Sequence, residues 1–233
     1  MLRTVIEAWN GRVYIGAVSG YGKLGGPLCE LDPASGQIQC WSNLIQNQSV
    51  VALTAHPNGM VVGGTTVNGG GGSHPTEVVP KIFAWSPESR KLLFVMELGF
   101  NCSCDGIDAV AVGKTGHIVG IAGLTAFVVD LDRQKVVATA AISSAKIGAV
   151  VYNSLRAGPG GTLYGLGAKG IFSFDDSSNR VVLVAPFQSI SGGMAIRGQE
   201  IFFTAGPDVV SYKLPVPAAS SASEAADGRI AVE

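Results

Sequence analysis

Three groups of residues have types and spacings that could do chemistry. The first is Gly20-x-Gly22-x-x-Gly25, within "SGYGKLGG", the pattern that cradles a dinucleotide pyrophosphate. That mechanism needs a strand before the glycines and a helix after them, because the helix N-terminus meets the pyrophosphate. "GRVYIGAV" supplies the strand. The residues after the glycines are "PLCELDPASG": Pro27 opens the run and the turn signal Asp32-Pro33-Ala34-Ser35-Gly36 closes it, which leaves no room for an amphipathic helix. The nucleoside-triphosphate loop fails as well. Lys23 is followed by Leu24 where Ser or Thr must hold magnesium, and Ala17 stands where the first glycine belongs. The stretch reads as a glycine-rich turn.

The second group is Cys102-Ser103-Cys104 with Asp105 and Asp108 just behind it. The cysteine pair has neither zinc-finger nor redox spacing, and in an extended chain its side chains point to opposite faces. The two carboxylates could hold a cation through oxygen ligands, but without the spacing of an EF-hand. The other two cysteines, Cys29 and Cys40, flank the Pro33–Gly36 turn symmetrically. In a hairpin they sit opposite each other and could bridge. Two buried free thiols in neighbouring strands are the reading the sequence favours, since free Cys is a common core residue. The third group is the histidines, only three: His56, His74 and His117. They are too scattered for a histidine-rich metal site. No Gly-x-Ser-x-Gly elbow occurs.

The elements that must position these groups show in the composition and the repeats. The chain has 233 residues, 32 of them glycine, and only 14% are charged. Many Val and Ile with few long charged side chains favour strands and tight turns. A formal charge of −1 gives no whole-protein field towards nucleic acid or anionic membrane, so neither is expected as a partner. No apolar run approaches the ~18 residues of a spanning helix. The first residues, "MLRTVIEAWNGRV", do not read as a signal peptide, because Glu7 and Asn10 interrupt any apolar stretch. The compartment stays open.

A turn and a short apolar strand recur: "NGRVYIG", "NGMVVGG", "TGHIVGI", "GGTLYGL" and "RGQEIFF". A second phrase comes after each one: "LCELDPASGQI", "IFAWSPESRKL", "AFVVDLDRQKV", "IFSFDDSSNRV" and finally "VVSYKLP". A third strand precedes each. One repeat is therefore four short strands, a to d, at a period of about 45 residues, the signature of a β-propeller. Blades stacked around an axis bury both faces of each sheet, which explains near-continuous apolar runs such as "KIFAW" and "AFVVDL". The expected fold class is all-β, a propeller of four-stranded antiparallel blades at roughly 3–43, 47–98, 105–142, 151–188 and 191–214. Residues 215–227, "PVPAASSASEAAD", have linker composition, and 228–233 could form a strand. Two readings stand: the tail closes a five-bladed ring, or the chain belongs to a larger propeller.

The phrases "NGxVYxG" and "DPxSGxI" resemble the blades of bacterial propellers of the NHL, PQQ-repeat-like and virginiamycin B lyase-like group, over residues 3–214. The resemblance implies the fold. No residues here match a PQQ site, so no cofactor is expected. It further implies that the b–c and d–a loops share one face, where the long segments 16–27, 64–81, 99–106 and 143–152 gather. Loops longer than a connection requires tend to be functional. On that face Gln48, Ser49, Asp105, Asp108, Asn153 and Arg156 are expected to ring the channel mouth, with Tyr21 and Lys23 over it. Amide, hydroxyl and carboxylate groups beside an aromatic ring suit a sugar-like ligand. The expected function is a non-catalytic module that binds a carbohydrate or a partner protein. The alternative is a polysaccharide-type lyase or hydrolase, with His74 or Glu77 as base and, by resemblance to the virginiamycin-type lyases, a divalent cation.

Overall fold

The computed structural model describes residues 1–215. The expected linker and closing strand, apart from Pro215, lie outside the described residues. Nineteen strands form five antiparallel sheets in chain order. Blade 1 holds β1 (Leu2–Glu7), β2 (Val13–Ala17), β3 (Leu28–Leu31) and β4 (Ile38–Trp41). Blade 2 holds β5 (Ser49–Ala55), β6 (Val61–Thr66), β7 (Lys81–Ser86) and β8 (Lys91–Glu97). Blade 3 holds β9 (Ala109–Val112), β10 (Ile118–Ala122), β11 (Thr125–Asp130) and β12 (Lys135–Ala141). Blade 4 holds β13 (Arg156–Ala157), β14 (Leu163–Gly167), β15 (Gly170–Asp175) and β16 (Arg180–Pro186). Blade 5 has three strands among the described residues, β17 (Ile190–Arg197), β18 (Glu200–Ala205) and β19 (Asp208–Lys213). The fold is the expected β-propeller. Its one helical element among the described residues is a 3-10 turn at Pro159–Gly161.

The repeat phrases are explained by how the blades pack. Every residue of β6 and β10 is buried, because each sheet is covered on both faces. The glycine in the second strand makes room for an aromatic ring from the third. A Cβ on Gly63, Gly120 or Gly165 would lie 2.2–2.3 Å from the rings of Phe83, Phe127 and Phe172, their cross-strand partners. Four apolar clusters lie at the junctions of blades 1–2, 2–3, 3–4 and 4–5. Among the described residues no such cluster joins blade 5 to blade 1, and Val5, Ile38 and Val209 are exposed. The 1–2 junction also carries a polar tie. Buried Glu30 accepts from the Tyr14 hydroxyl at 2.6 Å and pairs with Arg90 of blade 2 at 2.8 Å. Burial, then the Glu30 carboxylate, pushes the Tyr14 hydroxyl up to about 12.

The cysteines differ from expectation. No free thiol is present among the described residues: Cys29 bonds to Cys40 and Cys102 to Cys104. The Asp32 amide donates to the Gln37 carbonyl across the β3–β4 turn. Counting back along the ladder makes Cys29–Cys40 a non-hydrogen-bonded pair, the kind in which opposed side chains come closest. Their Cα atoms are 4.0 Å apart. The Cys102–Cys104 bond is reachable because the segment before β9 is a loop, so the alternation of an extended strand does not apply.

Candidate ligand-binding site at the channel mouth

The first residues of the innermost strands surround the propeller axis on the face of the b–c and d–a loops. Two adjoining cavities open there. A narrow one of about 70 Å³ is lined by Arg3, Val51, Thr66, Asn68, Asp105 and Asn153, among others. A broad one of about 950 Å³ is lined by Val78, Cys104, Asp105, Asp108, Leu124 and Tyr152, among others. Asp105, Gly106 and Tyr152 belong to both and form the ridge between them.

The loop after Glu97 reaches blade 2 and is pinned there. The Asp105 carbonyl accepts from the Thr66 hydroxyl at 2.7 Å and from the Val67 amide at 2.9 Å. Its carboxylate accepts from the Asn68 side-chain amide. Three residues on, the Asp108 carboxyl takes the Gly123 amide at 2.8 Å, in the two-residue turn between β10 and β11. Burial pushes this carboxyl up to about 7; the Gly123 amide opposes the shift and the nearby Asp105 charge adds to it. The same carboxylates act on Tyr152. Its hydroxyl is raised by burial first, then by Asp108 and Asp105. The Arg3 guanidinium sits 6.0 Å from the Tyr152 ring centroid. Asn153 adopts φ +55° and joins blades 1, 3 and 4: its amide donates to the Asp108 carbonyl at 2.8 Å, and its side chain donates to the Arg3 carbonyl at 2.7 Å.

Of the residues expected here, Asp105, Asp108 and Asn153 come together. Gln48 and Ser49 do not reach solvent: both are fully buried. Gln48 bonds the Val79 carbonyl and the Thr65 hydroxyl, and Ser49 bonds the Asn68 carbonyl. They hold the long blade 2 loop from beneath. Arg156 lines a different cavity of about 390 Å³, further along the channel between the later residues of the innermost strands. Its guanidinium donates to the Leu155 carbonyl, and burial lowers its pKa. Tyr21 and Lys23 line neither cavity at the mouth. Their loop instead folds onto the blade 2 insertion, with Gly22 donating to Gly71 at 2.8 Å and Gly70 to Lys23 at 3.0 Å. Gly22 and Gly25 adopt the expected positive φ, +70° and +75°. The Tyr21 ring packs over Gly72 and is 86% exposed. His74 is exposed, and Glu77 pairs with Lys81 at 3.2 Å; neither lines a cavity at the mouth.

Sequence reasoning missed Arg3, Asn68 and Tyr152. Tyr152 precedes Asn153 in the same entry phrase and Asn68 lies in the same insertion as the glycines, so position offered a signal. Arg3 offered none. Among the described residues no group of three or more His, Cys, Asp or Glu gathers to hold a metal ion. The cation that the lyase alternative calls for lacks such a set of ligands there.

No protein-family model matches the chain, and no curated protein matches it in sequence. Solved structures do match in shape. The extracellular domain of a putative hybrid two-component system from B. thetaiotaomicron superposes with a TM-score of 0.60 at 13% identity, over 91% of this chain and 27% of that one. A putative gluconolactonase gives 0.64 at 12% identity, over 91% and 74%. A gluconolactonase from Xanthomonas campestris gives 0.65 at 15% identity, over 92% and 72%. The chain thus spans about a quarter of the first of these and about three quarters of the other two. At such identities the likeness is one of fold, and the fold it shows is the β-propeller.

Proposed function

We propose that this propeller binds a small polyhydroxylated ligand at the channel mouth, a neutral or amino sugar. The observation that carries the reading is the broad cavity, which sets Asp105 and Asp108 beside the Tyr152 ring with no Lys or Arg in its lining. Carboxylates accept hydrogen bonds from adjacent hydroxyls, and the ring offers an apolar face to sugar C–H groups. The Asp105 carboxylate, joined by that of Asp108 as pH rises past about 7, repels an acidic sugar and attracts an ammonium. The test is calorimetric titration with methyl α-glucoside, methyl α-mannoside, D-glucosamine and D-glucuronate. Glucosamine and at least one neutral glycoside should bind, and glucuronate should not. Preferential binding of glucuronate would sink the reading.

A second reading, a hydrolase acting on a sugar lactone or ester, is favoured by the Asp108 carboxyl. A group pushed up to about 7 in an open cavity is suited to take a proton from water near neutral pH. The likeness of fold to two gluconolactonases supports the same class. Glucono-δ-lactone hydrolysis measured by pH-stat should then exceed the spontaneous rate, rise through a midpoint near pH 7 and vanish in Asp108→Asn. A rate equal to buffer alone leaves only the binding reading.

A further inference from the structure

We propose that the Cys102–Cys104 disulfide is a redox control of the channel-mouth site; this rests on the reading of that site as a ligand-binding cavity. The bond closes a ring around one residue, Ser103, which is held at φ +45°, a left-handed conformation that a side chain disfavours. Opening the ring lets Ser103 relax. The bond is also accessible, since both cysteines are partly exposed and Cys104 lines the broad cavity. Strained and accessible disulfides are the readily reduced ones. Cys29–Cys40 is the contrast within the same chain. Cys29 is buried but Cys40 is exposed, so the contrast lies in the backbone and not in access: the bond closes a wide hairpin ring, its cysteines 11 apart in sequence, and neither has a positive φ.

Reduction needs a dithiol as co-reactant. One thiolate of the dithiol attacks Cys104 Sγ from the cavity, the S–S bond breaks, and Cys102 leaves as a thiolate that takes a proton. The second thiol of the reductant then displaces Cys104 from the mixed disulfide. The protein gains two thiols and the reductant becomes a disulfide.

The effect on the site is set by the pinning of Asp105. Its carbonyl is held by Thr66 and Val67, so movement is confined to the segment before it, residues 99–104. That segment supplies the Ser103 and Cys104 wall of the broad cavity. Cys104 also packs against the turn that orients Asp108. Its Cβ lies 3.5 Å from where a Gly123 side chain would start, and the Gly123 amide holds the Asp108 carboxyl. The oxidised form is the preorganised, ligand-competent one.

The test uses the full chain. Stepwise reduction with a dithiol, then alkylation and peptide mass spectrometry, should label Cys102 and Cys104 before Cys29 and Cys40. Hydrogen exchange should accelerate at least tenfold in 99–104 on reduction and stay unchanged in β3 and β4. The affinity for D-glucosamine should fall at least fivefold. Cys102→Ser/Cys104→Ser should bind at the reduced level whether or not reductant is present, while Cys29→Ser/Cys40→Ser should keep the response. If glucosamine binds neither form, the site reading fails, and labelling order with hydrogen exchange still decides the redox control. Free thiols at 102 and 104 in air-oxidised protein overturn the proposal, as does reduction of Cys29–Cys40 first or unaltered exchange in 99–104.

Discussion

Asp108→Asn should remove a pH-dependent loss of stability. The folded chain holds this carboxyl up at about 7, whereas an unfolded aspartate titrates at about 3.9. Between those values the folded state binds more protons than the unfolded one, so stability falls as pH rises. The contribution is fully present below about pH 4 and is lost once pH passes about 7. A shift of about 3 units at 1.36 kcal/mol each sets an upper bound of about 4 kcal/mol. The cavity is open to water and can relax, so about 2 kcal/mol is the working value. Asparagine keeps an oxygen for the Gly123 amide and carries no charge. The variant should exceed wild type by only about 0.5 kcal/mol near pH 4.5 and by about 2 kcal/mol at pH 8. Asp32, Asp130 and Asp175 act in the opposite sense. Their carboxyls are held low, chiefly by the Ser35 side chain, the Arg133 amide and Lys114 respectively, so their contribution is lost as pH falls below the ordinary carboxylate range. The difference between variant and wild type cancels them. Urea unfolding from pH 4.5 to 8 gives that difference, and carbon-13 titration of the Asp108 carboxyl gives its midpoint. A midpoint near 4, or a difference that stays flat across the range, would refute the burial argument.

Other perturbations separate structure from site. Gly22→Ala should cost about 1 kcal/mol in urea unfolding, since φ is +70° but open space surrounds a new Cβ. Gly70→Ala should cost more, because its Cβ would fall 1.9 Å from the Gly20 carbonyl oxygen and push the two glycine loops apart; exchange of the Gly22 amide, bonded to Gly71, reports that separation. Arg90→Ala strands the buried Glu30 carboxylate and should cost about 2–4 kcal/mol by the same unfolding assay, with Glu30→Gln/Arg90→Ala recovering part of it. Tyr152→Ala should leave the melting temperature within about 2 °C of wild type while weakening glucosamine binding at least fivefold, and Tyr21→Ala should change neither. Calorimetry and thermal melts check both tyrosines.

The propeller was legible from the amino-acid repeats. The repeated turn–strand phrases set the strands; that the second-strand glycine of blades 2 to 4 makes room for a ring from the third emerged only with the cross-strand register. That the b–c and d–a loops share a face came from the resemblance to known propellers, and with it the expectation of Asp105, Asp108 and Asn153 at the channel mouth. The sequence also ruled against a nucleotide cradle at Gly20–Gly25, for no helix comes after it. Which polar residues at the strand starts face the cavity depends on how the blades and loops pack. Blades 2 and 3 are covered on both sides, so polarity and alternation do not distinguish Gln48 and Ser49, turned inward beneath a loop, from Asp105, which lines both cavities at the mouth. A few residues further along the chain from Asn153, Arg156 falls in another part of the channel. The meeting of Arg3, Asn68 and Tyr152 joins blades 1 and 2 to the entry of blade 4 across the channel mouth, a separation no local pattern encodes. The disulfides show the same division. The hairpin put Cys29 opposite Cys40, but whether that pair is the close or the wide kind depends on the ladder's hydrogen bonds, and Cys102 meets Cys104 only because the chain there folds as a loop.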